Sequence, residues 1–255
     1  MKIDIAVPFN DIIPPQQIGM VLENKPPYYD QVVHLVNSIN TNWDTSKHDY
    51  KIHLFHSRNL EETKKEKLES LGCNVVHNPS ELQPLMTREN IFSYNYSEKS
   101  DYTIILDTDM LVLNTPELNL DKDIYARLSP NQDILSEPQW DWAHKALGLS
   151  NEPQHERHFN CGCIIIKSEL RKDFYKETIN NLPVLRQLEK FHRHFGIQFY
   201  NSLLFKKFDW GHLPAQMNVF PQEMDMSEHQ PVEILHYLGR LGLRSELKEI
   251  YSLYD

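Results

Sequence analysis

The chain has 255 residues, with 26 Lys plus Arg against 36 Asp plus Glu and a formal net charge of −10. That length fits one large α/β domain or two small ones, since domains commonly run to roughly 100–200 residues. A 40% hydrophobic and 24% charged composition excludes disordered and collagen-like architectures, and so acidic a balance with no basic patch excludes long nucleic acids as partners while leaving small anionic ligands open through a metal ion.

The first stretch, MKIDIAVPFND, carries Asp4 inside its apolar run and has no uninterrupted apolar h-region, which argues against a secretory signal; Lys2 to Phe9 reads as a strand. Tyr29, Val32, Val33, Val36 and Ile39 recur at helical spacing, and Tyr50, Ile52 and Leu54 alternate with Lys51 and His53 as a second strand. Asn59 with Glu62 reads as a capping box and Gly72 as a C-terminal stop. The helix between them mixes Lys64, Lys65 and Lys67 with Glu61, Glu62, Glu66 and Glu69, a solvated face with ordinary ion pairs. Cys73 to Val76 is expected as a third strand and Arg88 to Tyr96 as a helix. Tyr102-Thr-Ile-Ile-Leu106 is a nearly unbroken apolar run, as expected of a central strand covered on both faces.

Beyond it, residues 130–158 read as loop-rich. Cys163-Ile-Ile-Ile166 reads as a buried strand, followed by a helix that Ser168 caps. Ile197, Tyr200 and Leu204 mark one more helix, and Leu247, Ile250 and Tyr251 a last one. Alternating strands and helices predict βαβ units around a mostly parallel sheet, and the lack of repeats or linkers predicts one domain over 1–255. No segment approaches the roughly 20 apolar residues of a membrane span. The three cysteines, Cys73, Cys161 and Cys163, are too few for a disulfide framework or a four-thiolate zinc site, and a reducing cytoplasm is the simplest setting. Cys161 and Cys163 are expected on opposite faces of their strand, and His155, His158, His192 and His194 are expected at the surface.

Asp107 and Asp109 follow the buried run directly, where open α/β sheets bind ligands beyond the carboxyl ends of their strands. Two carboxylates so close repel each other, and a divalent cation keeps both ionised. A second Asp-x-Asp, Asp121-Lys-Asp123, has no apolar strand before it and reads as a solvated turn. Two enzyme classes place carboxylates this way. A haloacid-dehalogenase-type phosphatase uses the first Asp as nucleophile but needs a later acidic cluster, and no Gly-Asp-x-x-x-Asp or Asp-Asp follows here. A metal-dependent glycosyltransferase uses the pair to bind the pyrophosphate of a nucleotide sugar.

Four motifs then occur in order. Asp107-Thr-Asp-Met-Leu-Val-Leu113 resembles the Asp-x-Asp strand of the glycogenin-like and lipopolysaccharide galactosyltransferase-like glycosyltransferases, and Phe159-Asn-Cys-Gly-Cys-Ile-Ile-Ile166 resembles their Phe-Asn-x-Gly strand. Gly196-Ile-Gln-Phe-Tyr-Asn201 and Leu213-Pro-Ala-Gln-Met-Asn218 are similar to their Asp-Gln-x-x-Leu-Asn helix and Leu-Pro-x-x-x-Asn segment, and Ile234-Leu-His-Tyr-Leu-Gly-Arg240 to their closing His-x-x-Gly. The resemblance spans about residues 85 to 244, and its specificity lies in the ordered set.

It implies the GT-A fold, a Rossmann-like α/β sheet flanked by helices. It also implies transfer of a hexose from a UDP-sugar to a glycan or other hydroxyl acceptor. Asp107, Asp109 and His236 would ligate the metal, Mn²⁺ in preference to Mg²⁺ because one ligand is an imidazole. Arg88 and Asp107 would contact the nucleotide, Gly239 would admit the pyrophosphate, and Asn160 and Gln198 would lie near the donor sugar. Trp140 and Trp142 offer an apolar sugar platform with Asp141 between them as acid or base. The family's Lys-Pro-Trp is replaced by Gly242-Leu243-Arg244, so Arg240 or Arg244 would supply the phosphate-binding charge. Its Asp-Gln is replaced by Gly196-Ile197, with Gln198 as the substitute amide. These departures leave open an inverting enzyme using Asp141 or Glu137 as base, and a nucleotide-sugar or carbohydrate-binding protein without transferase activity.

Overall fold

Five consecutive buried residues, Tyr102–Leu106, form the strand around which the rest of the chain is layered. The computed structural model describes residues 1–9, 28–56, 60–78, 91–96, 99–129, 135–149, 158–192, 196–227, 231–237 and 245–254. The strands are β1 (Lys2–Phe9), β2 (Asp49–His56), β3 (Asn74–His77), β4 (Tyr102–Leu106), β5 (Met110–Val112), β6 (Ile124–Leu128), β7 (Phe159–Lys167), β8 (Trp210–His212) and β9 (Ile234–His236). The helices are α1 (Tyr28–Asn42), α2 (Glu62–Ser70), α3 (Glu137–Ala146), α4 (Arg171–Asn180), α5 (Leu182–Phe191), α6 (Gly196–Phe205) and α7 (Ser245–Ser252).

A seven-stranded mixed sheet runs in the order β3-β2-β1-β4-β7-β6-β8, and β5 pairs with β9 in a separate two-stranded sheet. Strands β3, β2, β1 and β4 are parallel neighbours, as the alternating pattern predicts, whereas β7 is antiparallel to both β4 and β6. Because side chains alternate along a strand, each face of the sheet builds its own core. Ile3, Ile5, Val7, Ile52, Leu54, Ile104 and Leu106 pack on Val32, Leu35, Val36 and Ile39 of α1. Ala6, Phe55, Ile105, Ile164 and Ile166 pack on the other side against Phe174, Leu185, Leu188, Phe199 and Leu203.

The ion-paired face of α2 forms as expected, and Gly72 ends that helix at φ +85°, a conformation that costs glycine little. The residue preceding α2 is Glu61, without a side-chain cap; Asn59 lies outside the described residues, as do residues 88–90 of the helix expected over 88–96, of which 91–93 are helical. Ser168 does not cap α4. A short 3-10 turn, Ser168–Leu170, comes first, and the Ser168 hydroxyl joins those of Ser100 (2.7 Å) and Thr103 (3.1 Å) in a buried network that reaches Asp4. The stretch 130–158, expected as loop, contains α3. Pro138 stands in the first helical turn, where a missing N–H costs nothing, and Gln139 Oε1 accepts from the Ser136 N–H at 2.9 Å.

Cys161 and Cys163 do enter opposite cores. Residues two apart on a regular strand share a face, so it is the break in β6–β7 register between Ala126 and Arg127 that separates them. In the second acidic copy, Asp123 pairs with Lys167 (2.7 Å) and Asp121 accepts from the Tyr125 hydroxyl (2.8 Å), which is a structural role. No helix among the described residues is long and apolar enough to cross a membrane.

Candidate metal centre

Asp107 stands at the carboxyl end of β4, where its N–H donates to the Gly162 carbonyl of β7 at 2.8 Å. The chain then turns through Thr108, whose hydroxyl donates to Gln31 of α1 at 3.1 Å, and enters β5. In the small sheet Met110 is paired with His236, and the Tyr237 N–H donates to the Asp109 carbonyl at 3.1 Å. The register of β5 against β9 thus places the imidazole beside the acidic turn. His236 Nε2 lies 3.3 Å from Asp109 Oδ1. One ligand atom each from Asp107, Asp109 and His236 falls within 4.8 Å of the others. Ligands opposite each other across one cation stand about 4.2 Å apart for magnesium and about 4.6–5.2 Å for calcium, so the spacing fits a single divalent ion. His236 is buried, at 3% exposure, while both aspartates are partly open, so the carboxylate side faces solvent.

The imidazole rests against backbone. A Cβ built on Gly162 would stand 2.5 Å from His236 Cε1 and 2.7 Å from its Nδ1, closer than real carbon contacts allow. The glycine of the Phe-Asn-x-Gly motif is therefore the space in which the ring sits. His236 Nδ1 lies 2.8 Å from Asn218 Oδ1, and Asn218 has φ +60°, a left-handed conformation that Asn tolerates better than most side chains. In the sequence Gly162 and Asn218 stand as members of the Phe-Asn-x-Gly and Leu-Pro-x-x-x-Asn segments, and those motif positions are the signal that marks them.

Other expected site residues are scattered more widely. Asn160 is beside the centre, bonded through Oδ1 to the Gly162 N–H and to Asn218 Nδ2. Gln198 lies on α6, partly buried, with its Oε1 enclosed and lacking a hydrogen-bond partner among the described residues. Asp141 and Glu137 are exposed on α3. Residues two apart on a helix point roughly 200° away from each other. Trp140 is accordingly buried against Phe199 while Trp142 is 38% exposed, so the two indoles form no common platform. Arg88, Gly239, Arg240 and Arg244 lie outside the described residues, as do His155 and His194.

His158 is no surface histidine: its ring is buried and meets Phe199 edge-on at 4.7 Å. Burial, with a smaller contribution from nearby His192, lowers its pKa to about 4. Between the ordinary value of about 6.5 and that lowered one, the unfolded chain takes up a proton that the native state refuses. The stabilisation is complete above pH 6.5 and is lost as pH falls towards 4. We expect His158 to account for a loss of about 2–3 kcal/mol between pH 7.5 and 4.5. Urea unfolding of wild type and His158→Phe across this range checks it, and parallel stability profiles would refute it.

No protein-family model and no curated protein sequence matches this chain. Solved structures do resemble it. The galactosyltransferase LgtC, in complex with donor and acceptor sugar analogues, is 14% identical with a TM-score of 0.56, covering 98% of this chain and 95% of that one. The glycosyltransferase GlyE of Streptococcus pneumoniae is 16% identical with a TM-score of 0.58, covering 100% of this chain, which spans 60% of GlyE. Mouse xyloside xylosyltransferase 1 is 13% identical with a TM-score of 0.55, over 93% and 98% of the two chains. At these identities the likeness is one of architecture: a mixed, mostly parallel sheet flanked by helices, the GT-A fold.

Proposed function

We propose that this chain is a metal-dependent glycosyltransferase that moves a hexose from a nucleoside-diphosphate sugar, UDP-linked, to a hydroxyl acceptor such as a glycan. The observation that carries the reading is the meeting of Asp107, Asp109 and His236, drawn from two different sheets, at the carboxyl edge of β4. Two carboxylates and one imidazole suit Mn²⁺, with Mg²⁺ as the weaker fit. Cleaving the bond between the anomeric carbon and the diphosphate leaves charge on a phosphate oxygen, which a cation held here stabilises.

The protein's own groups bind and orient. Asp107 and Asp109 hold the carboxylate side of the centre open to the donor, and His236 closes it from within the core. Asn160 retains its Nδ2 for the donor sugar, since both described bonds use its Oδ1. Arg88 would contact the nucleotide, Gly239 would admit the pyrophosphate, and Arg240 or Arg244 would balance its charge. Gln198, and Asp141 from solvent, remain the candidates near the reacting carbon. The setting is taken as cytoplasmic, in keeping with three buried cysteines, none of them in a disulfide. The alternative of a nucleotide-sugar-binding protein without transfer draws on Gly196-Ile197, which bring no carboxylate or amide to the start of α6. The phosphatase reading asks for a second acidic cluster, and among the described residues Asp107, Asp109 and His236 form the one group of three potential ligands.

Titration calorimetry of UDP with and without Mn²⁺ tests the proposal. Binding at least tenfold tighter with the ion is expected, and equal binding in both conditions would remove it. Transfer or hydrolysis from a panel of UDP- and GDP-hexoses then separates the enzyme from the binding protein.

A further inference from the structure

We propose that Asn218 and Asn160 are positioning residues that hold His236 in the tautomer presenting a bare Nε2 to the cation; the inference rests on the metal-binding reading above. Its starting point is a group whose hydrogen-bond role is not in question. The Gly162 backbone N–H can only donate, and it meets the Asn160 side chain at 2.9 Å, so the atom there is Oδ1. The same oxygen meets the Asn218 side chain at 3.0 Å, and two amide oxygens would repel, so Asn218 offers Nδ2. That turns Asn218 Oδ1, an acceptor, towards His236 Nδ1 at 2.8 Å. Nδ1 must then carry the hydrogen. In the neutral imidazole, the form that ligates a cation, Nε2 is left with its lone pair aimed at the acidic turn, 3.3 Å from Asp109 Oδ1.

A lone pair facing a carboxylate oxygen is attractive only with an electropositive centre between them. A metal-bound imidazole needs this arrangement, with its second nitrogen donating to a fixed acceptor. The opposite tautomer would point a hydrogen at the ion. One backbone amide therefore dictates the direction of every bond from β7 to the ligand nitrogen.

The relay is held rigidly. Arg127 Nη1 donates to the Asn218 carbonyl at 2.7 Å, while its Nη2 pairs with Glu223 at 2.7 Å, whose other oxygen accepts from the Phe220 N–H at 3.0 Å. The guanidinium also lies over the Phe220 ring, and that ring is 5.4 Å from His236. These contacts hold the left-handed backbone at Asn218. The His236 N–H donates to the Val219 carbonyl at 2.8 Å, so the strand that carries the imidazole is bonded to the residue next to its orienting amide.

Asn218→Gly is the informative variant, because glycine keeps φ +60° without strain and deletes only the amide. Long-range proton–nitrogen NMR of the metal-free protein, assigned with His236→Gln, reports the tautomer directly. Paramagnetic resonance of free Mn²⁺ reports affinity. Wild type is expected as the Nδ1–H form; in Asn218→Gly that preference is lost and Mn²⁺ affinity falls about 10–100-fold, the usual effect of losing a group that orients a ligand. Asn218→Asp keeps an acceptor for Nδ1–H but sets its second oxygen against Asn160 Oδ1, so it should restore the Nδ1–H tautomer and part of the affinity, whereas a merely structural Asn would give no such rescue. An Nε2–H wild type, or an unchanged Mn²⁺ affinity in Asn218→Gly, overturns the relay while leaving the metal site standing. A wild-type protein that takes up no Mn²⁺ at all overturns both.

Discussion

Asp109→Ala is expected to abolish Mn²⁺-dependent UDP binding and to lower sugar transfer by about 10²–10³, the usual effect of removing one stabiliser of charge developing in a transition state. The carboxylate is partly open, and the bond that anchors this turn to β9 runs through the Asp109 carbonyl, which the substitution keeps. The fold should therefore survive. Thermal unfolding without metal should not be lowered, because the substitution relieves the repulsion of the Asp109 carboxylate by Asp107 and by the His236 Nε2 lone pair. The two proteins should differ mainly when Mn²⁺ is present, since an ion bound only by the native state raises its stability by mass action. Equal protection by Mn²⁺ in wild type and variant would place the ion elsewhere.

Gly162→Ala is expected to do comparable damage while changing none of the three proposed ligand residues. The new methyl would fall 2.5 Å from Cε1 and 2.7 Å from Nδ1 of His236, and 2.8 Å from Asn160 Oδ1. The ring cannot retreat freely. It is buried, Phe220 lies 5.4 Å away, and its backbone is locked against Met110 and Val219. Overpacking of this kind costs about 1–3 kcal/mol. Here the displaced group is a ligand, so Mn²⁺ affinity and transfer should fall with stability. Chemical unfolding and Mn²⁺ titration of the one variant check both, and a variant with wild-type affinity would show that the imidazole has more room than its surroundings suggest.

Some of this was legible in the chain and some was not, for identifiable reasons. Tyr102–Leu106 announces itself because a strand buried on both faces needs an unbroken apolar run, and the acidic turn follows it directly. The parallel half of the sheet is legible in the alternation of β1, α1, β2 and α2. Helix α3 was obscured by Pro138, since position within a helix decides whether a proline breaks it. His158 looked like a surface residue because nothing local reveals that it will be covered by Phe199 of α6. The roles of Gly162 and Asn218 depend on contacts between segments far apart in the chain, which no local pattern encodes. The two tryptophans mark the opposite failure: an inviting local pattern was divided by a helical turn.

The small sheet adds one consequence. Strand β9 is buttressed by a cluster in which Leu235 and Tyr237 pack with Leu247 and Tyr254, and Tyr254 is tied to Asn37 and Asn42 of α1. The carboxylates come from the middle of the chain and their imidazole from the far side of several intervening elements. A ribosome-bound chain that has emerged only as far as β7 thus displays the acid pair without its third member. If these residues hold an ion as proposed, its capture waits until β9 has joined β5, and a bound cation would work as a clasp that records that this strand has reached its place.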